Sequence, residues 1–78
     1  MTSNDKSKYA ELKKKLLAKG LRTSRNSDGT VKVWKASKYL GDIGLCGEFY
    51  CNSADLADPY WKGQIELIMQ CIEETKRN

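Results

Sequence analysis

The sequence contains no histidine, a single proline and only three cysteines among its 78 residues. Without an imidazole, the side chain that most often acts as a general base near neutral pH is missing. The cysteines, Cys46, Cys51 and Cys71, are too few for a four-ligand zinc site and an odd number for a paired disulfide framework. Cys46 and Cys51 could still bridge in an exported protein. We expect reduced thiols, no metal site, no cofactor and no enzymatic activity.

Long hydrophobic runs are absent as well. No stretch approaches the roughly 20 apolar residues that span a bilayer, and residues 1–8 have no apolar core of the kind that a signal peptide carries. Gly41, Gly44 and Gly47 form neither a phosphate loop nor a dinucleotide fingerprint, because their spacing is wrong and they follow no buried parallel strand. The composition therefore predicts a soluble, cytoplasmic protein that contacts no membrane.

The charges are unevenly distributed along the chain, although the net charge is only +4. Residues 1–40 hold eleven Lys or Arg and three Asp or Glu, a balance of +8, whereas residues 41–78 hold three and seven, a balance of −4. If the fold separates these halves, each would suit a partner of opposite charge. If the helices pack side by side, much of the asymmetry cancels.

The N-terminal part of the chain predicts a short tail and a helix. Residues 1–7 are small and polar, so we expect them to be flexible and to precede a single domain over residues 8–78. The helix ends near Lys19, where Gly20 takes the left-handed conformation of a Schellman stop and Leu21 packs back on the helix.

Turn signals then divide the middle of the chain into strands. Asp28-Gly29 predicts a hairpin between residues 21–26 and 31–37, because Gly supplies the positive φ that matches the strand twist. A third strand follows over residues 38–43. Residues 48–52 predict a fourth strand, with a continuation of the third strand after a bulge as the alternative.

The clearest element is a helix from Pro59 to about residue 76. Asp58 predicts its N-cap, and proline at the first helical position loses no hydrogen bond there. Apolar residues recur at helical spacing along one face. We predict a core from both helices and the first two strands: Leu12, Leu16, Leu21, Val31, Val33, Trp61, Ile65, Ile68, Met69 and Ile72.

These elements predict a single small α+β domain of order α-β-β-β(-β)-α, an antiparallel sheet with both helices packed on one face and the other face open to solvent. The order of helix, three strands and helix resembles the double-stranded RNA-binding domain. That family places a lysine cluster at the start of its second helix, where this chain has Asp55, Asp58 and a lone Lys62. The resemblance is one of topology and implies no function.

Binding is the function class that remains, and the basic half of the chain suggests a nucleic-acid backbone as the ligand. Its cations could attract phosphates, and Trp34 could stack on a base if its strand face is open. The alternatives are a solvated helix surface for the lysines and a core position for the tryptophan. The candidate residues are Lys13, Lys15, Lys19, Arg22, Arg25, Lys32, Trp34, Lys35 and Lys38.

The acidic half suggests a protein interface instead. It places aromatic residues beside carboxylates in loops, which is where small interfaces display their anchors. Because Tyr39 and Leu40 alternate along a strand, one of the two is expected to be exposed. The candidate residues are Tyr39, Asp42, Glu48, Tyr50, Asp55 and Tyr60.

We favour the second hypothesis, a small binding module that docks on a larger protein or nucleoprotein complex as an accessory protein or inhibitor, and that is itself a monomer or homodimer. Bacteriophages and mobile elements encode many such proteins, including inhibitors of host defence, and a phage-like origin rests on that frequency alone. Direct binding of RNA or DNA through the first helix and hairpin is the alternative. Since inhibitors that mimic DNA are strongly acidic, this basic chain would have to occupy a partner surface or bridge a protein and its nucleic acid.

Overall fold

The computed structural model describes residues 3–77, which form three helices and a four-stranded sheet. The elements in chain order are α1 (Ser3–Ala18), β1 (Arg22–Arg25), β2 (Val31–Lys35), β3 (Lys38–Ile43), β4 (Phe49–Cys51), α2 (Ser53–Leu56) and α3 (Pro59–Arg77). The strands pair antiparallel in the order β1-β2-β3-β4, so each lies beside its neighbour in sequence. This is the predicted α+β domain with the long helices on one face of the sheet, and the fourth strand forms.

The first helix ends as its sequence predicts. Gly20 has φ of 81°, the left-handed region where a side chain is disfavoured. The Leu21 N–H donates to the Leu16 carbonyl at 2.9 Å and the Gly20 N–H donates to the Leu17 carbonyl at 3.0 Å, the two hydrogen bonds of a Schellman motif. At its other end the helix includes residues 3–7, whose flexibility stays a prediction.

The hairpin between β1 and β2 is closed by Asp28 and Gly29. Gly29 has φ of 93°, and its N–H donates to the Asn26 carbonyl at 3.0 Å. The Asp28 carboxylate accepts from the Thr30 hydroxyl at 2.6 Å and the Thr30 N–H at 2.9 Å. These two hydrogen bonds hold the pKa of Asp28 below its ordinary value.

Side-chain caps begin both later helices. Asn52 accepts from the Ala54 N–H at 3.0 Å and starts the single turn of α2. Asp58 accepts from the Tyr60 N–H at 2.9 Å and starts α3 directly before Pro59, which confirms the predicted cap.

The core lies between the sheet and the two long helices, and most of its predicted members are buried. Trp61 is only partly buried and packs against the edge of the core. The prediction for Met69 is wrong, since 55% of this residue is exposed. Each helical residue turns by about 100°, so Met69 and Cys71 flank the apolar stripe on opposite sides. Lys15 of α1 reaches Glu74 on the Cys71 side, and Cys71 is the flank that is buried.

A β-bulge adds Leu40 to the core. Val33 lies opposite Gly41 and Trp34 opposite Tyr39, so Leu40 is an extra residue in β3. Leu40 is buried and Tyr39 is exposed, as their alternation requires. At Gly41 the backbone has φ of 148°, and a Cβ would collide with the Tyr50 carbonyl of β4.

Candidate functional site on the outer face of the sheet

Aromatic side chains gather on the face of the sheet that points away from the helices. Trp34 of β2 lies opposite Tyr39 of β3, while Lys32, Asp42 and Tyr50 lie side by side on three successive strands. Directly paired residues share a face of the sheet. We call this surface, made of Lys32, Trp34, Tyr39, Asp42 and Tyr50, the aromatic face.

The rings of the aromatic face are accessible to a partner. Tyr39 is 43% exposed and Tyr50 is 62% exposed, and Trp34 is half-buried. The Trp34 and Tyr39 rings pack together with centroids 5.1 Å apart at an interplanar angle of 54°. Such tilted contacts hold two rings in one arrangement. The predicted stacking position of Trp34 is thus at the surface, shared with a tyrosine.

Both tyrosine hydroxyls are held by carboxylates. The Tyr39 hydroxyl donates to Asp42 at 2.6 Å, and this bond, with burial and the negative charge, raises the pKa of Tyr39 to about 12. The Tyr50 hydroxyl donates to Glu48 at 3.1 Å, and this bond is the main reason that the pKa of Tyr50 is also raised. The phenols stay protonated at neutral pH, so they supply apolar area and oriented dipoles rather than an acid or a base.

Charges of both signs surround these rings. Lys32 lies directly opposite Asp42, and Arg22 of β1 lies directly opposite Trp34. Glu48 adds a second carboxylate beside Tyr50. The aromatic face therefore combines cations with anions a few ångströms away, unlike the uniform positive field that attracts a phosphate backbone.

The cations proposed to bind nucleic acid do not share one surface. Arg22 and Lys32 lie on the outer face with Trp34, whereas Lys13 and Lys15 belong to α1, and Lys19 to the turn that ends it, on the other side of the sheet. The Lys15 ammonium is 3.4 Å from Glu74 and 4.0 Å from Glu11. Arg25 and Lys35, which belong to the same set of predicted nucleic-acid contacts, are half-buried.

Arg25 and Lys35 each pack against the N-terminal helix region. The Arg25 guanidinium carbon lies 5.3 Å from the centroid of the Tyr9 ring, a cation–π contact. The Lys35 ammonium lies beside Gly20, at the turn that ends α1. The nine-residue set is thus divided between the outer face of the sheet, the helix side and the turns.

Lys38 and Asp55, proposed for two different interfaces, bind each other. The Lys38 ammonium is 3.0 Å from the Asp55 carboxylate and 5.2 Å from the centroid of the Trp61 ring. Only 8% of Asp55 is exposed and it lies in α2, so its predicted display in an exposed loop is wrong, while a role in protein binding stays a prediction. This ion pair connects Lys38 of β3 to Asp55 of α2. The sequence shows the acidic residue but not its partner, which lies 17 positions earlier.

The remaining protein-binding candidate, Tyr60, lies on α3 and not on the sheet. It is 55% exposed at the start of α3, and its ring makes an edge contact with Trp61 at a centroid distance of 4.7 Å. The structure therefore brings together Tyr39, Asp42, Glu48 and Tyr50 of the second set and adds Lys32 and Trp34 of the first.

The three cysteines differ in their exposure. Cys46 is exposed, Cys51 half-buried and Cys71 buried, and all three are free thiols. Burial raises the pKa of the Cys71 thiol, which keeps it protonated. Among the side chains that the structure describes, those of residues 8–76, no three Cys, Asp or Glu come together in an arrangement that could hold a metal ion.

Comparison with known proteins adds no assignment. The chain matches no protein-family model, no curated protein and no solved structure. Among the helices that the structure describes, none combines the length and the apolar character needed to cross a membrane.

Proposed function

We propose that this chain is a non-enzymatic protein-binding domain that docks through the aromatic face on a larger protein or nucleoprotein complex, as an accessory protein or inhibitor. One observation carries the proposal: Trp34, Tyr39 and Tyr50 stand together on a sheet face that no helix within residues 3–77 covers. Tyrosine and tryptophan are enriched among the residues that supply most of the binding energy at protein interfaces.

Because both tyrosine hydroxyls already have hydrogen-bond partners, burying this face under a partner protein costs less free energy. A phenol that is buried without a hydrogen-bond partner costs about 1–3 kcal/mol. Tyr39 and Tyr50 already donate to Asp42 and Glu48, so a partner can cover their rings without leaving the donors unpaired. A tyrosine also loses little conformational entropy on binding, because only two side-chain torsions are restricted.

The same carboxylates weigh against a nucleic-acid backbone as the ligand of this face. A phosphate beside Lys32 would also meet Asp42, and a base stacked near Tyr50 would place its phosphate near Glu48. Repulsion between the phosphates and these nearby carboxylates offsets the attraction between the phosphates and the cations. Protein partners tolerate mixed charges because they can supply complementary ones. A phage or mobile-element origin stays a prediction.

A matched pair of tyrosine variants tests the proposal. Tyr39→Ala/Tyr50→Ala removes two anchors of the aromatic face, and Tyr60→Ala removes an equally exposed tyrosine on α3. Tagged protein with a photocrosslinker on β3 captures partners in cells that encode the chain, and quantitative mass spectrometry identifies them. We expect a protein that the parent and Tyr60→Ala retain and that the double variant loses. With that partner purified, each lost anchor should weaken binding by about 30-fold, which corresponds to about 2 kcal/mol.

Two results would contradict the proposal. One is a partner retained equally by the parent and by Tyr39→Ala/Tyr50→Ala, once circular dichroism shows that the double variant is folded. The other is micromolar binding of RNA or DNA that collapses between about 50 and 200 mM salt and is lost on charge reversal at Arg22 and Lys32. That result would favour the nucleic-acid alternative.

A further inference from the structure

A cleft lies on the helix side of the sheet, away from the aromatic face. It has a volume of about 550 Å³ and forms where the start of α1, the β1–β2 turn, the β3–β4 loop and the end of α3 meet. This volume is within the range of about 300–1,000 Å³ that is typical of ligand sites. The floor is made of apolar core side chains. They are Tyr9, Leu12, Val31, Ile43 and Ile72.

Cations from three separate elements line this cleft. Lys8 comes from α1, Arg25 from β1 and Lys76 from α3. Among the lining residues within 8–76, whose side chains the structure describes, Asp28 is the only carboxylate, and it accepts two hydrogen bonds from Thr30. Lys8 and Lys76 make no ion pair with the described side chains of residues 8–76. An apolar floor is thus bordered by an excess of positive charge.

The loop that forms one wall of the cleft is closed by its own hydrogen bonds. The Gly44 N–H donates to the Glu48 carbonyl at 2.7 Å, and the Gly47 N–H donates to the Gly44 carbonyl at 3.0 Å. The loop presents Leu45, which is 74% exposed and leans over Gly29 in the opposite turn. This leucine extends the apolar floor to the mouth of the cleft, where a bound side chain would cover it.

We infer that this cleft binds an acidic peptide segment of a partner protein, with one large apolar side chain of the peptide on the cleft floor. The peptide carboxylates would face Lys8 and Lys76, and Arg25, which is held against the Tyr9 ring, would add positive charge to the cleft. Cations on separate elements suit several carboxylates spaced along a peptide, whereas a fatty acid offers only one. Charge complementarity around an apolar centre is the usual composition of such a contact. The inference does not depend on the aromatic face, because the two surfaces lie on opposite sides of the sheet.

Selection from a random peptide library displayed on phage tests this inference. We expect the folded full chain to enrich peptides that combine Asp or Glu with a central Phe, Leu or Trp. An enriched peptide, added to ¹⁵N-labelled protein, should shift the amide resonances of Tyr9, Arg25, Leu45 and Thr75. Its affinity should fall at least about tenfold in Lys8→Glu/Lys76→Glu. Lys13→Glu/Lys14→Glu is the matched control, because it makes the same charge change at exposed positions of α1 outside the cleft.

Several outcomes would overturn the inference. They are the absence of enrichment, enrichment without an acidic preference, and an equal loss of affinity in the control variant. Peptide-induced shifts confined to Lys32, Tyr39 and Tyr50 would assign the peptide to the aromatic face instead. Laurate that shifts the cleft resonances when no peptide does would assign the cleft to fatty acids. Concentration-dependent shifts of the same resonances in the free protein would assign it to a second copy of the chain.

Discussion

Tyr39 and Asp42 show how single residues prepare the aromatic face. Three positions apart on β3 and separated by the bulge, they lie on the same face and share a 2.6 Å hydrogen bond. The bond satisfies the phenol before any partner arrives, and it fixes the ring against Trp34. A negative charge next to the phenol disfavours its ionisation, which explains the direction in which its pKa moves.

We predict that Asp42→Asn lowers the pKa of Tyr39 from about 12 toward its ordinary value of 10.0. Because the pKa of Tyr39 is higher in the folded protein than in the unfolded chain, the protonated phenol stabilises the fold. That contribution is fully present below pH 10 and is lost as the pH rises through about 12. A titration followed by the ¹³C resonance of the Tyr39 Cζ measures the shift. Glu48→Gln is the control, since it should change the titration of Tyr50 and leave Tyr39 unaltered. An unchanged Tyr39 titration in Asp42→Asn would contradict this account.

The glycines of β3 and α3 differ in whether their position has room for a side chain. Gly41 sits in the bulge of β3, where the backbone of β4 occupies the place of a side chain. Gly63 lies inside α3, where a Cβ would meet nothing within 4 Å. The first glycine is required by the close approach of two strands, and the second only weakens its helix.

Alanine at these two glycines is expected to change stability in opposite directions. Gly41→Ala forces β4 away from β3 and should lower the free energy of unfolding by about 1–3 kcal/mol or more. Gly63→Ala should raise it by up to about 1 kcal/mol, because alanine is the better helix former. Urea unfolding followed by circular dichroism measures both. A stability of Gly41→Ala equal to that of the parent would show that the strands tolerate a side chain at the bulge.

At the scale of the whole molecule, packing brings the two oppositely charged halves of the sequence together. Lys15 of the basic half reaches Glu74 of the acidic half, and Lys38 binds Asp55 at 3.0 Å. The polarity along the chain is therefore partly cancelled in space. What remains is local, namely mixed charges on the aromatic face and an excess of cations around the cleft.

Two neighbouring residues of α3, Ile68 and Met69, are expected to contribute very differently to the stability of the fold. Ile68 is fully buried between helix and sheet, so Ile68→Ala should lower the free energy of unfolding by about 2–5 kcal/mol. A loss of that size is a large part of the stability of a small domain. Met69→Ala is the control and should change stability by no more than about 0.5 kcal/mol, because Met69 is exposed. Equal urea midpoints for Ile68→Ala and the parent would show that Ile68 does not pack in the core.

The local signals in the sequence predicted where the elements begin and end. Gly20, the Asp28-Gly29 pair and Asp58 act on hydrogen bonds within a few residues of themselves, so their roles can be read without tertiary information. The regular apolar spacing of α3 likewise predicted Ile65, Ile68 and Ile72 in the core. These features account for the element order and for the α+β class.

Contacts between distant residues were decided only by the tertiary structure. The side on which α1 packs buries Cys71 and leaves Met69 exposed, and the bulge turns Leu40 inward while Tyr39 stays at the surface. Asp55 is buried and paired with Lys38, so it is not among the exposed carboxylates. The positions of the helices and strands follow from the residues within them, because caps, turns and periodicity are local. The register of β3 against β2 and the placement of the helices depend on contacts between distant residues, and they decided which aromatic and charged side chains share a surface.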